Sequence, residues 1–411
     1  MWLVNFSTMA TGNLSFGLFV LPMGGALGMD RSQFGWAVTT RRMAAGLSSY
    51  FVGRLLDRYG PRVLIPVSGI IIGLGLIAIS RANAPWQVIV LFGVLGMTGL
   101  AAPQNIMTSV PVAKWFQQKR GLALALATSG LGLGGVFFLP ITQLLIGAVG
   151  WRSTWLVMAV VFMALSVPLS AVFLRRQPED MGLQMDGRTA ATAAETGQPN
   201  AEVEVQSWTV RKAFRTATMW KLLLAFGLAG VAQGGASVHR IPYWIEKGFD
   251  PQVVSYSFAA DAGGAATMAL FAGWLADRIP IRVIGAGSFV GLSFAIGLML
   301  IGRNEYFLFG STITFGLSVG AGMIVQSYLF AAYFGRTFLG SIRGIVMPFM
   351  LISAGIGAPL VGYIRDATGS YVSSWWLILS IYLVAALIMS SARRPTPLST
   401  GQETSQGTPS L

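Results

Sequence analysis

The stretch Gly53-Arg54-Leu55-Leu56-Asp57-Arg58-Tyr59-Gly60-Pro61-Arg62 returns 220 residues later as Gly273-Trp274-Leu275-Ala276-Asp277-Arg278-Ile279-Pro280-Ile281-Arg282. Two further landmarks keep nearly the same offset. Trp115-Phe116 followed by Arg120-Gly121 returns as Tyr333-Phe334 followed by Arg343-Gly344, and Gly150-Trp151 matches Ser370-Tyr371. Three matches in order, each between apolar stretches, predict a duplicated chain. Parallel halves around a site at mid-membrane are an architecture of transporters.

Around these landmarks the sequence is apolar almost throughout. Of 411 residues, 54% are hydrophobic and only 10% charged, against about 25% in soluble domains. The bilayer is therefore the expected solvent. A spanning helix needs about 20 apolar residues, which places spans near 3–27, 33–54, 63–81, 86–113, 121–148, 153–174, 219–245, 252–275, 282–301, 306–333, 340–364 and 372–391. The expected fold is an all-α membrane protein of twelve transmembrane helices in two parallel six-helix pseudo-repeats. Its parts are an N-terminal bundle over 1–174, a cytoplasmic linker over 175–216, a C-terminal bundle over 217–394 and a disordered tail over 395–411. The linker is rich in Ala, Thr, Gln and acids and buries too little apolar surface to fold alone. Apolar sequence begins at once after Met1, so no cleavable signal is expected.

Lysine and arginine gather in cytoplasmic loops. The segments following even-numbered spans hold 19 of the 28 basic residues, the opposite side 6, and spans or their edges the remaining 3. Both termini are thus expected in the cytoplasm of a cell inner (plasma) membrane. The net charge of +13 is read as this topology signal plus attraction to membrane lipid, which makes nucleic-acid binding unnecessary. With no cysteine and one histidine, metal clusters and thiol chemistry are poor expectations, and no cofactor or catalytic residue is expected.

The pattern Gly-x-Leu-x-Asp-Arg-x-Gly-x-Arg and its copy resemble the signature loop of the major facilitator superfamily. Lys114-Trp115-Phe116 through Lys119-Arg120-Gly121, Gln177-Pro178-Glu179-Asp180 with Gly182-Leu183, and Tyr333-Phe334-Gly335-Arg336 through Asp366-Ala367-Thr368-Gly369-Ser370-Tyr371 resemble its monocarboxylate-transporter and oxalate/formate-antiporter branch. That resemblance implies a monomeric secondary transporter moving a small organic anion, a monocarboxylate in the first place, by alternating access with proton symport or anion exchange. An exporter of amphipathic compounds and a non-transporting membrane sensor are the alternatives. In members of that branch a basic residue lies deep in span 8, 11 or 1. Here span 1 carries no charge, span 8 only Asp261, and Arg343 stands at the cytoplasmic start of span 11.

Ionisable groups within spans mark function. Arg41 and Arg42 lie near mid-depth of span 2 and, differing by about 100° around the helix, cannot both face the same way. Adding 220 to Arg41 reaches Asp261, at the same depth of span 8. An arginine of span 2 is expected to attract the substrate anion through paired hydrogen bonds, and Asp261 to carry the coupling proton. A salt bridge joining the halves is the simpler alternative. His239, before Pro242-Tyr243-Trp244, is a candidate for gating or anion attraction, or a residue of the interfacial aromatic belt. Since the resembled family lines its cavity with spans 1, 4, 7 and 10, Asn13, Gln104, Asn105, Gln233, Gln326 and Tyr328 are further substrate-binding candidates. Asp57, Arg58 and Arg62, with Asp277, Arg278 and Arg282, are expected to latch the halves together; topology anchoring is the alternative. Glycines at 130–135 and 355–362 are expected at the surface where the halves meet.

Overall fold

The computed structural model describes residues 1–12, 14–100, 106–115, 120–175, 209–276, 278–334 and 339–395. Asn13, Gln104, Asn105, Asp277, the side chain of Asp57, residues 176–208 of the expected linker and residues 396–411 of the expected tail lie outside the described residues.

Helices make up almost everything described. They are α1 (Trp2–Thr8), α2 (Phe16–Leu27), α3 (Arg31–Tyr59), α4 (Pro61–Ser80), α5 (Pro85–Met97), α6 (Ile106–Trp115), α7 (Arg120–Phe173), α8 (Val210–Phe214), α9 (Ala217–Glu246), α10 (Pro251–Ala276), α11 (Ile281–Ile301), α12 (Glu305–Phe334), α13 (Leu339–Thr368) and α14 (Val372–Ser391). Eight segments among the described residues are long and apolar enough to cross a membrane. The expected twelve adds α3, α10, the pair α5 and α6, and the second arm of α7.

The repeated stretch shows why its residues recur. α3 ends at Gly60, whose φ of 73° belongs to the left-handed region, and Pro61 opens α4 at the position where a missing N–H costs nothing. In the second copy Pro280 stands immediately before α11. α7 is likewise two helical arms meeting at Gly150, where φ is 78°.

Two expected spans are not continuous helices. The first breaks after α1: a short 3₁₀ turn, Met9–Thr11, leads to Gly12 with φ 79° before α2 begins. The Thr8 and Thr11 hydroxyls donate back to the carbonyls of Asn5 and Thr8, each at 2.7 Å, offering the backbone an alternative to helix. Span 4 breaks at Gly99, with φ 74°, between α5 and α6. Both breaks sit where only glycine adopts the required backbone cheaply, amid sequence that stays predominantly apolar on either side.

Two hydrophobic cores form. One draws almost wholly on residues 4–162, including Phe19, Phe92, Trp155 and Phe162, the other almost wholly on 213–392, including Trp244, Phe315, Trp375 and Tyr382. Leu74, Val160, Phe294 and Leu387 turn outward, a surface suited to lipid tails. Between the two cores, α3 packs on α13, α7 on α10, and α2 on α9.

Duplication is visible at atomic detail. A Cβ at Gly96 on α5 would strike the Arg41 carbonyl oxygen of α3, and a Cβ at Gly316 on α12 would strike the Asp261 carbonyl oxygen of α10. Adding 220 converts the first pair into the second. The glycine-rich stretches are two-sided: Gly130 and Gly134 lie against the α1 backbone, while Gly132 and Gly135 meet Ala266 and Ala262 of α10. On α13, Gly357 lies against Val231 of α9, and Gly355 and Gly362 face Thr39 and the start of α3. Gly316→Val should lower the thermal midpoint of the detergent-solubilised protein by a cost of about 1–3 kcal/mol, because the added methyls meet backbone that cannot yield. Gly287→Ala, where nothing lies within 4 Å, should leave it unchanged or raise it.

Candidate functional site

The arginines of α3 point to different partners, as their angular separation requires. Arg41 turns into the N-terminal core and closes the break in the first span. Its Nη1 donates to the Thr11 carbonyl at 3.3 Å and its Nη2 to the Thr11 hydroxyl at 3.0 Å. The guanidinium lies 5.7 Å over the Phe92 ring, and its Nε has no partner. Arg42 instead reaches across to the other core. Its Nη1 donates to the Ala354 carbonyl of α13 at 2.9 Å and its Nη2 to the Ser237 hydroxyl of α9 at 3.2 Å.

Asp261 does meet a guanidinium, but not one from α3. Arg240, one helical turn beyond Ser237 on α9, approaches the Asp261 carboxylate to 2.5 Å. The Arg240 guanidinium lies 3.4 Å from the Phe315 centroid and 4.8 Å from that of Phe258, within cation–π reach of both rings. The alternative of a salt bridge joining the halves through Asp261 is thus corrected: the ion pair lies within the C-terminal core. The shared depth of Arg41 and Asp261 is real, yet each turns into its own bundle. The sequence marks Arg240 only beside His239 near the outer end of span 7, where arginines commonly reach the headgroups.

Among the described residues, Arg41, Arg42 and Arg240 therefore stand buried or half-buried at this level with one carboxylate, and neither Arg41 nor Arg42 meets an acid. Carbonyl and hydroxyl dipoles satisfy them instead. Such a region holds an excess of positive charge inside a low-dielectric core.

Around it, Gln233 accepts a hydrogen bond from the Tyr382 hydroxyl at 3.0 Å. His239 is fully buried: its Nε2 lies 2.9 Å from the Ala358 carbonyl and its Nδ1 3.2 Å from the Tyr371 hydroxyl. In the neutral ring this puts the proton on Nε2 and leaves Nδ1 to accept from the phenol. Burial pushes the Tyr371 phenol above its ordinary value, which keeps that donor protonated. Gln326 contacts Met350 on α13. Tyr328 is a correction: two residues further along α12, it is exposed and lines a surface cavity that includes none of Arg41, Arg42 and Arg240.

Among the described residues, Arg58, Arg62, Arg278 and Arg282 make contacts within their own halves. Arg58 stacks on Tyr59, and Arg62 Nε donates to the Ala171 carbonyl at 2.9 Å. Arg278 stacks 3.8 Å from Trp274, and Arg282 lines the same cavity as Tyr328. A polar clasp between the halves is found at the opposite end of α3. There Arg31 pairs with Glu246 at 3.0 Å, Arg365 pairs with the same carboxylate at 3.2 Å, and Asp366 accepts from the backbone N–H groups of Arg31 and Ser32 at 3.2 and 2.9 Å. Nothing in the spacing of those four residues distinguishes a clasp from an anchor.

A sequence profile described as Major Facilitator Superfamily matches residues 1–249 and 241–410. Monocarboxylate transporter 11 of Homo sapiens is 27% identical, the match covering 96% of this chain and 83% of that protein. An uncharacterized MFS-type transporter of Bacillus subtilis, YcxA, is 25% identical with 90% and 87% covered, and monocarboxylate transporter 13 of Bos taurus 24% with 90% and 82%. Among solved structures, the nucleoside transporter NupG superposes with a TM-score of 0.75 at 13% identity, covering 95% of this chain and 98% of that one. A bacterial homologue of the human lysosomal transporter Spinster gives 0.65 at 13%, covering 95% and 92%.

Removing one side of the buried pair should be costly and removing both should not. Arg240→Met is expected to destabilise the protein by about 3–5 kcal/mol in chemical denaturation, and adding Asp261→Asn to recover most of that loss.

Proposed function

The chain belongs to the Major Facilitator Superfamily and is a secondary transporter, and on that premise we propose that it carries a small monocarboxylate anion, coupled to a proton or exchanged for another anion. The excess of buried guanidinium over carboxylate near the middle of the molecule carries this reading. A planar carboxylate fits the paired donors of Arg42 or Arg240. Relatives named as monocarboxylate transporters along most of the chain support the same substrate class.

Arg240 and Asp261 supply the coupling in this proposal. Substrate and Asp261 compete for one guanidinium, and an unpaired buried carboxylate is expensive. Proton uptake at Asp261 as the anion binds leaves the charge of the site unchanged. His239, Gln233 and Gln326 support the surrounding helices, and Asn13, Gln104 and Asn105 remain in the proposed lining by their place in spans 1 and 4. The protein works as a monomer in the inner or plasma membrane, both termini in the cytoplasm, so that the clasp at Arg31, Glu246, Arg365 and Asp366 closes the outer end. Asp57, Arg58 and Arg62, with Asp277, Arg278 and Arg282, secure the cytoplasmic end in the alternate state.

Uptake of labelled lactate, pyruvate, formate and oxalate into proteoliposomes, with and without a pH gradient, tests the proposal. At least one acid should accumulate when the gradient is applied. Asp261→Asn should abolish that accumulation while retaining exchange of internal for external substrate; unchanged accumulation would remove the proton role. Failure of every acid to move would favour the exporter of amphipathic compounds. Asp57→Asn should slow net transport several-fold with substrate affinity nearly intact, and a proportional loss of both would reject the latch.

A further inference from the structure

At the end where α10, α12 and α14 finish and α11 begins, a cavity of about 460 Å³ is lined by Arg282, Arg393, Arg394, Tyr328 and Tyr333, with Ile279 and Ile281 among its apolar walls. Among the described residues none of its three guanidinium groups has an ion-pair partner.

The segment carrying two of these arginines is held in place by its backbone. The Tyr333 hydroxyl donates to the Ala392 carbonyl at 2.9 Å, the Thr218 hydroxyl to the Arg393 carbonyl at 2.9 Å, and Lys221 Nζ to the Ser391 carbonyl at 3.4 Å. Three side chains from two helices thus fix residues 391–393, and with them the approach of Arg393 and Arg394 to Arg282. Bringing like charges together without an acid is unfavourable unless an anion joins them.

Trp274 marks the level of this cavity. Exposed and stacked with Arg278, it has the character of an interfacial belt residue. Leu270 and Phe271 continue an exposed apolar surface from it along α10. Charge at headgroup height above a lipid-facing apolar wall differs from a site built for a free ion, which needs no hydrocarbon beside it.

We propose that this cavity binds the phosphate headgroup of an anionic phospholipid, Arg282, Arg393 and Arg394 contacting the phosphate and the isoleucines the upper acyl chain. Basic pockets between helices at the cytoplasmic face suit such headgroups.

Native mass spectrometry of the full-length protein in neutral detergent tests it, with phosphatidylglycerol, phosphatidylcholine and inorganic phosphate as probes. Phosphatidylglycerol should bind saturably, phosphatidylcholine should not compete, and millimolar phosphate should not displace it. At roughly 1 kcal/mol per arginine, R282Q/R393Q/R394Q should weaken phosphatidylglycerol binding on the order of a hundredfold, and R394Q alone roughly fivefold. R175Q/R211Q/K212Q, which removes equal charge elsewhere, should bind as the wild type. Wild-type affinity in the triple cavity variant, equal binding of phosphatidylcholine, or equal loss in the control variant would each overturn the proposal. Displacement by phosphate would replace the lipid with a soluble anion. If the triple variant does not fold, unchanged binding by R394Q, altered at an exposed residue, overturns it alone.

Discussion

A guanidinium taken out of water must find acceptors, and in this chain the acceptors decide how the helices meet. Arg240 finds a carboxylate and two rings, all within the C-terminal core. Arg41 finds the carbonyl and hydroxyl that a broken helix leaves at Thr11. Arg42 finds a carbonyl and a hydroxyl on the opposite core. The three solutions differ in what they stabilise: one locks helices of a bundle, one completes an interrupted span, one joins the halves. Only the first cancels charge with charge, so the positive excess survives in the interior.

Close backbone approach is the second constraint, and it is met in the same places. Gly96 and Gly316 allow α5 and α12 to lie directly on the carbonyls of Arg41 and Asp261, which fixes the depth of both ionisable residues. Gly35 and Gly362 bring the start of α3 against the end of α13 where the clasp of Arg31, Glu246, Arg365 and Asp366 forms. Glycine here shortens the distance over which charges act. Within the membrane, packing of small surfaces and interhelical hydrogen bonds replace the hydrophobic drive that water would supply.

The repeat was legible because a junction of helices writes itself into residue types: Gly60-Pro61 and Pro280 are turn chemistry, and turn chemistry recurs with the turn. The interruptions of spans 1 and 4 were not legible, since Gly12 and Gly99 are two glycines among 51 and the apolar pattern passes through both. Depth along a helix could be read for Arg41 and Asp261, but rotation could not. A shift of two residues is enough to carry Tyr328 to the surface while Gln326 meets α13. The partner of Asp261 escaped notice because contact between α9 and α10 is set by tertiary packing, whereas symmetry pointed to the equivalent residue of the other half. Symmetry conserved the position and changed the chemistry.

Closure and charge are linked through one carbonyl. Ala354 of α13 accepts from Arg42, and the same oxygen is the atom a Cβ at Gly234 would strike, so α3, α9 and α13 converge on it. The clasp at Arg31 lies along the same face of α3, a few turns nearer the helix start. Any motion that parts α3 from α13 at that end must also withdraw Arg42 from Ala354 and Ser237. Two donors of a cation then lose the acceptors they have here, in a region already short of negative charge. A carboxylate entering through the opened end offers acceptors in the geometry those donors require. In the proposed transport of a carboxylate, opening and anion binding would then be favourable together and costly apart, which is the thermodynamic condition for a state change that follows its ligand.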